Sequence, residues 1–77
     1  MKNFELIIIN SGEEEALIKG TDEEIIEYLK ENESDLFGWM DEEARPTVED
    51  LDALQDIVDV EALCEAVDHD WWTLEVR

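Results

Sequence analysis

A run of four large aliphatic residues, Leu-Ile-Ile-Ile at positions 6–9, most constrains how this chain can fold. Because no polar residue interrupts the run, both faces of a strand built from it would be apolar. Three successive isoleucines favour a strand over a helix, since branching at Cβ restricts the side chain in a helix. We therefore predict that residues 4–9 form the central strand of a small sheet, which the rest of the chain pairs with or covers.

A hairpin is predicted directly after this strand. Asn10, Ser11 and Gly12 are residue types typical of a tight turn. Residues 13–19 would return as a second strand at the sheet edge, where exposed glutamates discourage pairing with other molecules. A helix remains the alternative for this segment, because Glu, Ala and Leu are good helix formers.

The first helix is predicted to begin after Thr21 and to end near Asn32. Thr21 is followed three residues later by Glu24, which is the pattern of a capping box. The apolar stripe of this helix consists of Ile25, Ile26 and Leu29, flanked by Tyr28. The following segment, residues 32–46, is the least regular, and its apolar side chains are expected to lie partly over the core.

Two further helices are predicted between Thr47 and Asp68. Thr47 is the expected N-cap of the second helix. Its predicted buried stripe is Val48, Leu51, Leu54 and Val58. Near Asp59 the apolar phase shifts to a new stripe of Val60, Leu63 and Val67, so Asp59 is the expected cap of the third helix. One kinked helix over residues 47–68 is the alternative.

The last strand is predicted from the alternation of residues 71–77. Trp72, Leu74 and Val76 alternate with Trp71, Thr73 and Glu75, which is typical of a half-buried strand, so one of the adjacent Trp71 and Trp72 should face the core and the other the opposite side. The fold class is therefore α+β, with one domain over residues 1–77 and the order β-β-α-α-α-β. The predicted sheet is three-stranded and mainly antiparallel, in the order 2-1-3, with three helices on one face.

Charge carries the strongest functional signal. The chain has 24 acidic and 5 basic residues, a formal net charge of −19, although 44% of its residues are apolar and suffice for a globular fold. A small domain needs a net charge of only about 2–8 in magnitude for solubility. The surplus repels nucleic acid and anionic lipid and attracts basic protein surfaces.

No sequence motif indicates catalysis or a bound cofactor. Acidic residues at 50, 52 and 56 and the Asp-His-Asp triplet at 68–70 do not follow calcium-loop spacing. One histidine and one cysteine do not make a closed zinc site. Cys64 has acidic neighbours, whereas an activated thiolate needs positive ones. We therefore expect no enzymatic activity, no cofactor and no metal site.

The expected location is the cytoplasm. A single cysteine fits a reducing compartment. Neither a signal peptide nor an apolar run long enough to span a membrane is visible. The chain is expected to be a monomer or a homodimer.

Acidic stripes on the second and third helices are the predicted partner-binding residues. They are Glu49, Asp52, Asp56, Glu61, Glu65 and Asp68. Residues four apart on a helix are separated by about 6 Å, and duplex DNA carries a phosphate every ~3.4 Å along each strand. Neighbouring stripes therefore approach the charge density of nucleic acid. Trp39 and Trp71 are candidates for an aromatic anchor beside them, unless both are buried in the core.

These stripes, on a chain of this size, resemble small DNA-mimic proteins of phages and mobile elements. Such proteins include anti-CRISPR proteins, anti-restriction proteins and the uracil-DNA glycosylase inhibitor. The resemblance covers the whole chain in size and charge, and it implies occupation of a nucleic-acid-binding groove on a host protein. Separately, Leu-Asp-Ala-Leu at 51–54 and Leu-Glu-Val-Arg at 74–77 are similar to short segments of barstar-like nuclease inhibitors.

The leading functional hypothesis is a non-enzymatic inhibitor or decoy of a basic nucleic-acid-binding protein, such as a nuclease or defence effector. It would bind that protein by charge mimicry and would not bind nucleic acid itself. An immunity protein or antitoxin directed at a nuclease is the first alternative. A small structural or adaptor subunit is the second.

Overall fold

A computed structural model describes residues 3–77 of the chain. In chain order the elements are β1 (Phe4–Asn10), β2 (Glu13–Gly20), α1 (Asp22–Glu31), α2 (Glu33–Phe37), α3 (Val48–Asp52), α4 (Ile57–Ala66) and β3 (Trp72–Val76). The three strands form one sheet in the order β2-β1-β3, and both pairs are antiparallel. The predicted α+β class, the central position of the first strand and the sheet order are confirmed.

The β1–β2 connection is a two-residue hairpin turn. Ser11 has φ 54° and Gly12 has φ 87°, and two successive positive φ values give a turn whose twist matches that of the flanking strands. The prediction of a strand over residues 13–19 is therefore confirmed over the helical alternative. A bulge follows the hairpin, because the register shifts between Leu6 and Ile7.

The hydrophobic core lies between one face of the sheet and the helices. Leu6, Trp72 and Leu74 contribute from the strands, and the helices cover them with a buried cluster. That cluster includes Ile25, Leu29, Phe37, Leu51, Val60 and Cys64. The sheet therefore carries helices on one face, as the sequence predicts.

Ile7 explains why the first strand is apolar on both sides. It is only 5% exposed, yet it points away from the helices, between Ala16 of β2 and Glu75 of β3. Arg77 pairs with Glu14 at 2.6 Å and with Glu75 at 2.9 Å, so its side chain crosses β1 above Ile7. The aliphatic part of an arginine can cover apolar surface while its charged end stays in water.

Helix α1 matches its prediction closely. The Glu24 N–H donates to Thr21 Oγ1 at 3.4 Å, and the Thr21 N–H donates to Glu24 Oε1 at 3.2 Å. This reciprocal capping box satisfies two amides at the helix start. Ile25, Ile26 and Leu29 are buried, and Asn32 is the C-cap residue.

The boundary between the next two helices differs from the prediction. Asp56, not Asp59, is the N-cap of α4, since the Asp59 N–H donates to Asp56 Oδ1 at 3.1 Å. Asp59 lies in the first turn and accepts from the Gln55 N–H at 2.9 Å. An aspartate can serve either position, so the apolar phase shift placed the helix start three residues too late.

The predicted stripe of the second helix is partly wrong for the same reason. Leu51 is buried and Leu54 is partly buried, but Val48 is 58% exposed and Val58 is 66% exposed. Helix α3 ends at Asp52, so Val48 and Val58 belong to different helices and do not share one face. The stripe of Val60, Leu63 and Val67 holds, with Leu63 only partly buried.

Residues 32–46 contain one short helix that the sequence does not predict. Helix α2 has five residues and no side-chain cap at Asn32, so it leaves no periodic or capping signal in the sequence. Leu36 and Phe37 are buried, which confirms that this segment covers part of the core. No helix within residues 3–77 is long and apolar enough to cross a membrane.

Candidate partner-binding surface

An acidic groove of about 260 Å³ lies between α4 and β3. Glu61, Glu65 and Asp68 line it from the α4 side, and Glu75 lines it from β3. These three carboxylates are exposed; Glu61 and Glu65 are four residues apart and lie on one side of α4, and Asp68 follows just after the helix ends at Ala66. We call this feature the α4–β3 groove; its lining includes Glu61, Glu65 and Asp68 on one side and strand residues 73–76 on the other.

The groove follows the edge of the sheet. Four consecutive residues, 73–76, line it. Successive side chains of a strand point to opposite faces, so a groove that touches all four must lie along the strand's edge. β3 is an outer strand of the sheet, and its free side is therefore the floor of an acidic channel.

Basic side chains within the described chain do not neutralise the helix side of this groove. The salt bridges of residues 3–77 join Lys30 to Asp52, Arg45 to Glu42, and Arg77 to Glu14 and Glu75. Glu75 is thus paired on the outer face of the sheet. Glu61, Glu65 and Asp68 take no part in those salt bridges, so they form the uncompensated row.

The structure divides the six acidic residues that the sequence predicts for partner binding. Glu61, Glu65 and Asp68 come together in the α4–β3 groove, whereas Glu49, Asp52 and Asp56 are exposed but do not line it. The Asp52 carboxylate lies 3.4 Å from Lys30 Nζ. The Asp56 carboxylate caps α4. The carboxylates of Asp52 and Asp56 therefore already interact with other groups of this protein.

Glu75 is a groove residue that the sequence reasoning missed. Its position in the alternating pattern of the last strand predicts an outward-facing side chain. The pattern alone does not show that α4 lies beside this strand, because that proximity depends on the packing of Val60 and Cys64 against Leu74. The strand edge was therefore not identifiable as part of a site.

Aromatic rings form a continuous series from the core to the surface. The ring centroids of Phe37 and Trp72 are 6.1 Å apart, those of Trp72 and Trp39 are 5.2 Å apart, and those of Trp39 and Trp71 are 4.8 Å apart. Trp39 is 39% exposed and Trp71 is 46% exposed. The His69 ring lies 5.5 Å from Trp39. Two tryptophans predicted from separate segments thus share one exposed patch.

The Trp39 ring is held in place before any partner arrives. Its indole N–H donates to the Leu36 carbonyl at 2.8 Å, and its ring packs on the buried Trp72. A fixed aromatic ring loses little conformational entropy when a partner covers it. This patch and the α4–β3 groove meet where β3 begins, since Asp68 lines the groove and Trp71 precedes the strand.

Cys64 lies at the inner side of the groove and is buried. Burial removes water from the thiolate and the negative charge of Glu61 opposes it, and together they raise the pKa of Cys64 to about 12. The thiol is therefore protonated at neutral pH, and a protonated thiol is a poor nucleophile.

A second groove, of about 490 Å³, separates α3 from α4 on another side of the molecule. Three carboxylates line it, those of Glu43, Asp50 and Asp59, together with the basic side chain of Arg45, and two of the three accept hydrogen bonds at the starts of helices. Asp50 accepts the Thr47 N–H at 3.0 Å, and Asp59 accepts the Gln55 N–H. Within residues 3–77, no group of three or more His, Cys, Asp or Glu side chains is arranged to hold a metal ion.

Comparison of the chain with protein-family models, with curated proteins and with solved structures finds no match.

Proposed function

We propose that this protein is a non-enzymatic inhibitor or decoy that binds a basic nucleic-acid-binding protein by mimicking the charge of nucleic acid. The observation that carries this proposal is the uncompensated row of Glu61, Glu65 and Asp68 beside the edge of β3. Targets of this kind are nucleases and defence effectors, as in anti-CRISPR or anti-restriction systems.

The spacing of the row supports the proposal. Glu61 and Glu65 are separated by about 6 Å along the helix axis, and Asp68 continues the row two residues after α4 ends at Ala66. Phosphates follow one another every ~3.4 Å of axis along one strand of duplex DNA. The row is therefore sparser than one strand of DNA, and the remaining exposed carboxylates of the surface add to its field.

The overall charge determines how such a complex would form. A net charge of −19 on 77 residues produces a long-range field that attracts a positively charged groove and accelerates encounter with it. Salt screens this attraction beyond about 10 Å at 0.1 M ionic strength. Binding should consequently be fast at low salt and should weaken steeply as salt is added.

The exposed tryptophan patch would add affinity that does not depend on charge. Trp39 and Trp71 offer a rigid apolar surface next to the acidic row. Tryptophan is enriched among the residues that contribute most to protein–protein binding. Charge would then bring the partner to this surface, and the aromatic rings would slow its release.

The test begins with the immobilised protein and a host-cell lysate, followed by identification and purification of the captured protein. Its affinity is then measured at low and high salt, with duplex DNA as competitor. We expect DNA to displace the protein, and we expect affinity to fall as salt rises. The triple variant Glu61→Lys/Glu65→Lys/Asp68→Lys should lose at least about a hundredfold in affinity, since several close charge pairs change sign.

The matched control is Glu23→Lys/Glu27→Lys/Glu31→Lys on α1. It changes the net charge by the same amount on another exposed helix, so it should weaken binding much less. Equal effects of the two variants would show that only total charge matters. Affinity that does not depend on salt, or a captured protein that does not bind nucleic acid, would contradict the proposal.

A further inference from the structure

We infer that the free edge of β3 is a docking site for an extended, positively charged segment of the partner, which adds to the sheet as a fourth strand. This inference rests on the proposed function and specifies how the partner engages the α4–β3 groove. It depends on the backbone hydrogen-bonding groups of the strand edge, which charge mimicry alone does not use.

Backbone groups on one side of β3 have no strand opposite them. The Arg77 N–H donates to the Glu5 carbonyl at 2.9 Å and the Glu5 N–H donates to the Arg77 carbonyl at 2.8 Å, so this pair faces β1. In an antiparallel ladder, hydrogen-bonded pairs alternate with pairs that are not bonded to each other. The backbone N–H and C=O groups of Leu74 and Val76 therefore point away from β1. On that side the N–H and the C=O of Trp72 are bonded to His69, and within residues 3–77 no further strand pairs with β3, so the backbone groups of Leu74 and Val76 are the ones open to a new strand.

The other edge of the sheet is less suited to a new strand. β2 carries a bulge where the register shifts between Leu6 and Ile7 of its partner, and a bulge interrupts a regular ladder. The register of β3 against β1 is continuous from Leu6 to Asn10. A groove also lies between β2 and α1, but Ile18 is the single β2 residue that lines it, whereas four consecutive residues of β3 line the α4–β3 groove.

The carboxylates of the groove define the chemistry of the added segment. Leu74 points to the face that α4 covers, so residues directly opposite it on an antiparallel strand would point to the same face. There they would meet Glu61, Glu65 and Asp68. The expected segment therefore carries lysine or arginine at alternate positions. A second copy of this chain would bring the same carboxylates together and is disfavoured by repulsion.

Synthetic peptides test this inference without the natural target. The probe is a fluorescein-labelled peptide of about eight residues in which lysine alternates with threonine, a length typical of a strand. Its control has the same composition in the order Lys-Lys-Thr-Thr, which places lysines on both faces. Fluorescence anisotropy at low salt should show about tenfold tighter binding of the alternating peptide, equivalent to about 1.4 kcal/mol.

Backbone methylation of the alternating peptide separates strand pairing from charge attraction. Methylation of the amide nitrogens of one alternate set removes the donors that face β3, whereas methylation of the other set alters the solvent side. For an antiparallel segment the lysine set faces β3. We expect methylation of the lysine amides to weaken binding at least about tenfold, and methylation of the threonine amides to change the affinity little. Equal losses from both sets, or no loss from either, would overturn the inference.

A substitution in the protein gives an independent measurement. Val76→Pro removes an amide that faces away from β1, so the bonds within the sheet remain, and proline is tolerated at such edge positions. This variant should bind the alternating peptide about tenfold more weakly, as expected from lost backbone bonds. Val76→Ala keeps the amide and is the matched control, and circular dichroism checks that both variants are folded.

The outcomes distinguish this inference from the proposed function. If the Glu61→Lys/Glu65→Lys/Asp68→Lys variant loses peptide binding but methylation and Val76→Pro have no effect, charge attraction stands and strand pairing is wrong. If none of these changes affects binding, the groove is not the binding surface and both ideas fail.

Discussion

Single side chains in this protein show how a thin core is completed by local devices. Ile7 is buried on the face of the sheet that no helix covers, under the side chain of Arg77, whose ion pairs with Glu14 and Glu75 hold it across β1. Exposed ion pairs contribute little energy by themselves. The ion pairs nevertheless fix the path of Arg77 from β3 to β2, across the face of the sheet on which Ile7 lies.

The buried thiol of Cys64 should make the stability of the protein depend on pH above pH 9. Its pKa is 9.0 as an ordinary thiol and about 12 in the folded protein. Below pH 9 the thiol is protonated in both states, so its contribution to stability is constant. Between pH 9 and 12 only the unfolded state loses the proton, so the free energy of unfolding should fall by about 1.4 kcal/mol per pH unit.

Denaturant unfolding of wild type and Cys64→Ala at a series of pH values measures this effect. The difference in unfolding free energy between the two proteins should be constant up to pH 9 and should then shrink as pH rises. Other groups that titrate there act on both proteins and cancel. A difference that stays constant up to pH 11 would contradict the assignment of a buried, protonated thiol.

At the scale of elements, the helices are short and depend on their caps. α3 has only five residues, and both it and α1 begin with a threonine in a capping box. Helices of this length are not stable in isolation and persist because their apolar side chains are buried by the rest of the protein. The loop after α3 allows Leu51 and Val60 to enter the same core from separate helices.

The side-chain cap of α4 by Asp56 should contribute measurably to stability. Replacement by alanine removes the side-chain acceptor for the Asp59 N–H, which should destabilise the protein by about 1 kcal/mol. Replacement by asparagine keeps an acceptor and removes the charge, so Asp56→Asn is the matched control. Thermal unfolding should place Asp56→Ala below Asp56→Asn, whereas equal midpoints would show that the cap is not important.

For the whole molecule, the net charge of −19 opposes folding. Repulsion among like charges raises the free energy of the compact state, and salt reduces it by screening. The described structure has three ion-paired bases to offset a surface of exposed carboxylates. A protein selected for stability alone would not carry this imbalance, which supports a binding role for the charge.

Salt should therefore stabilise the free protein, whereas it should weaken the proposed complex. From low ionic strength to about 0.5 M NaCl we expect the unfolding free energy to rise by about 1 kcal/mol, or about 4–8 °C in Tm for a domain of this size. Scanning calorimetry measures this change. The variant Glu61→Gln/Glu65→Gln/Asp68→Asn should start from a higher Tm and respond less. A wild-type Tm that does not rise with salt would show that repulsion is not significant.

Local sequence patterns were sufficient to predict the elements whose signals lie within a few residues. The isoleucine run predicted the central strand, Ser11-Gly12 the turn, and Thr21 with Glu24 the start of α1, because these preferences depend on backbone sterics and nearby hydrogen bonds. The alternation after Trp71 likewise predicted the last strand, and the two apolar faces of the first strand predicted its central place in the sheet. The composition predicted an acidic surface, but it did not predict how the carboxylates are arranged on that surface.

Long-range packing sets where α4 begins, which carboxylates lie together and which groups lie beside them. Asp56 and Asp59 have equal capping chemistry, and the choice between them follows from how Leu51 and Val60 pack in the core. The nearness of α4 to the β3 edge, and of Trp39 to Trp71, joins residues far apart in the chain. Such contacts depend on packing of the whole core, which no local pattern encodes.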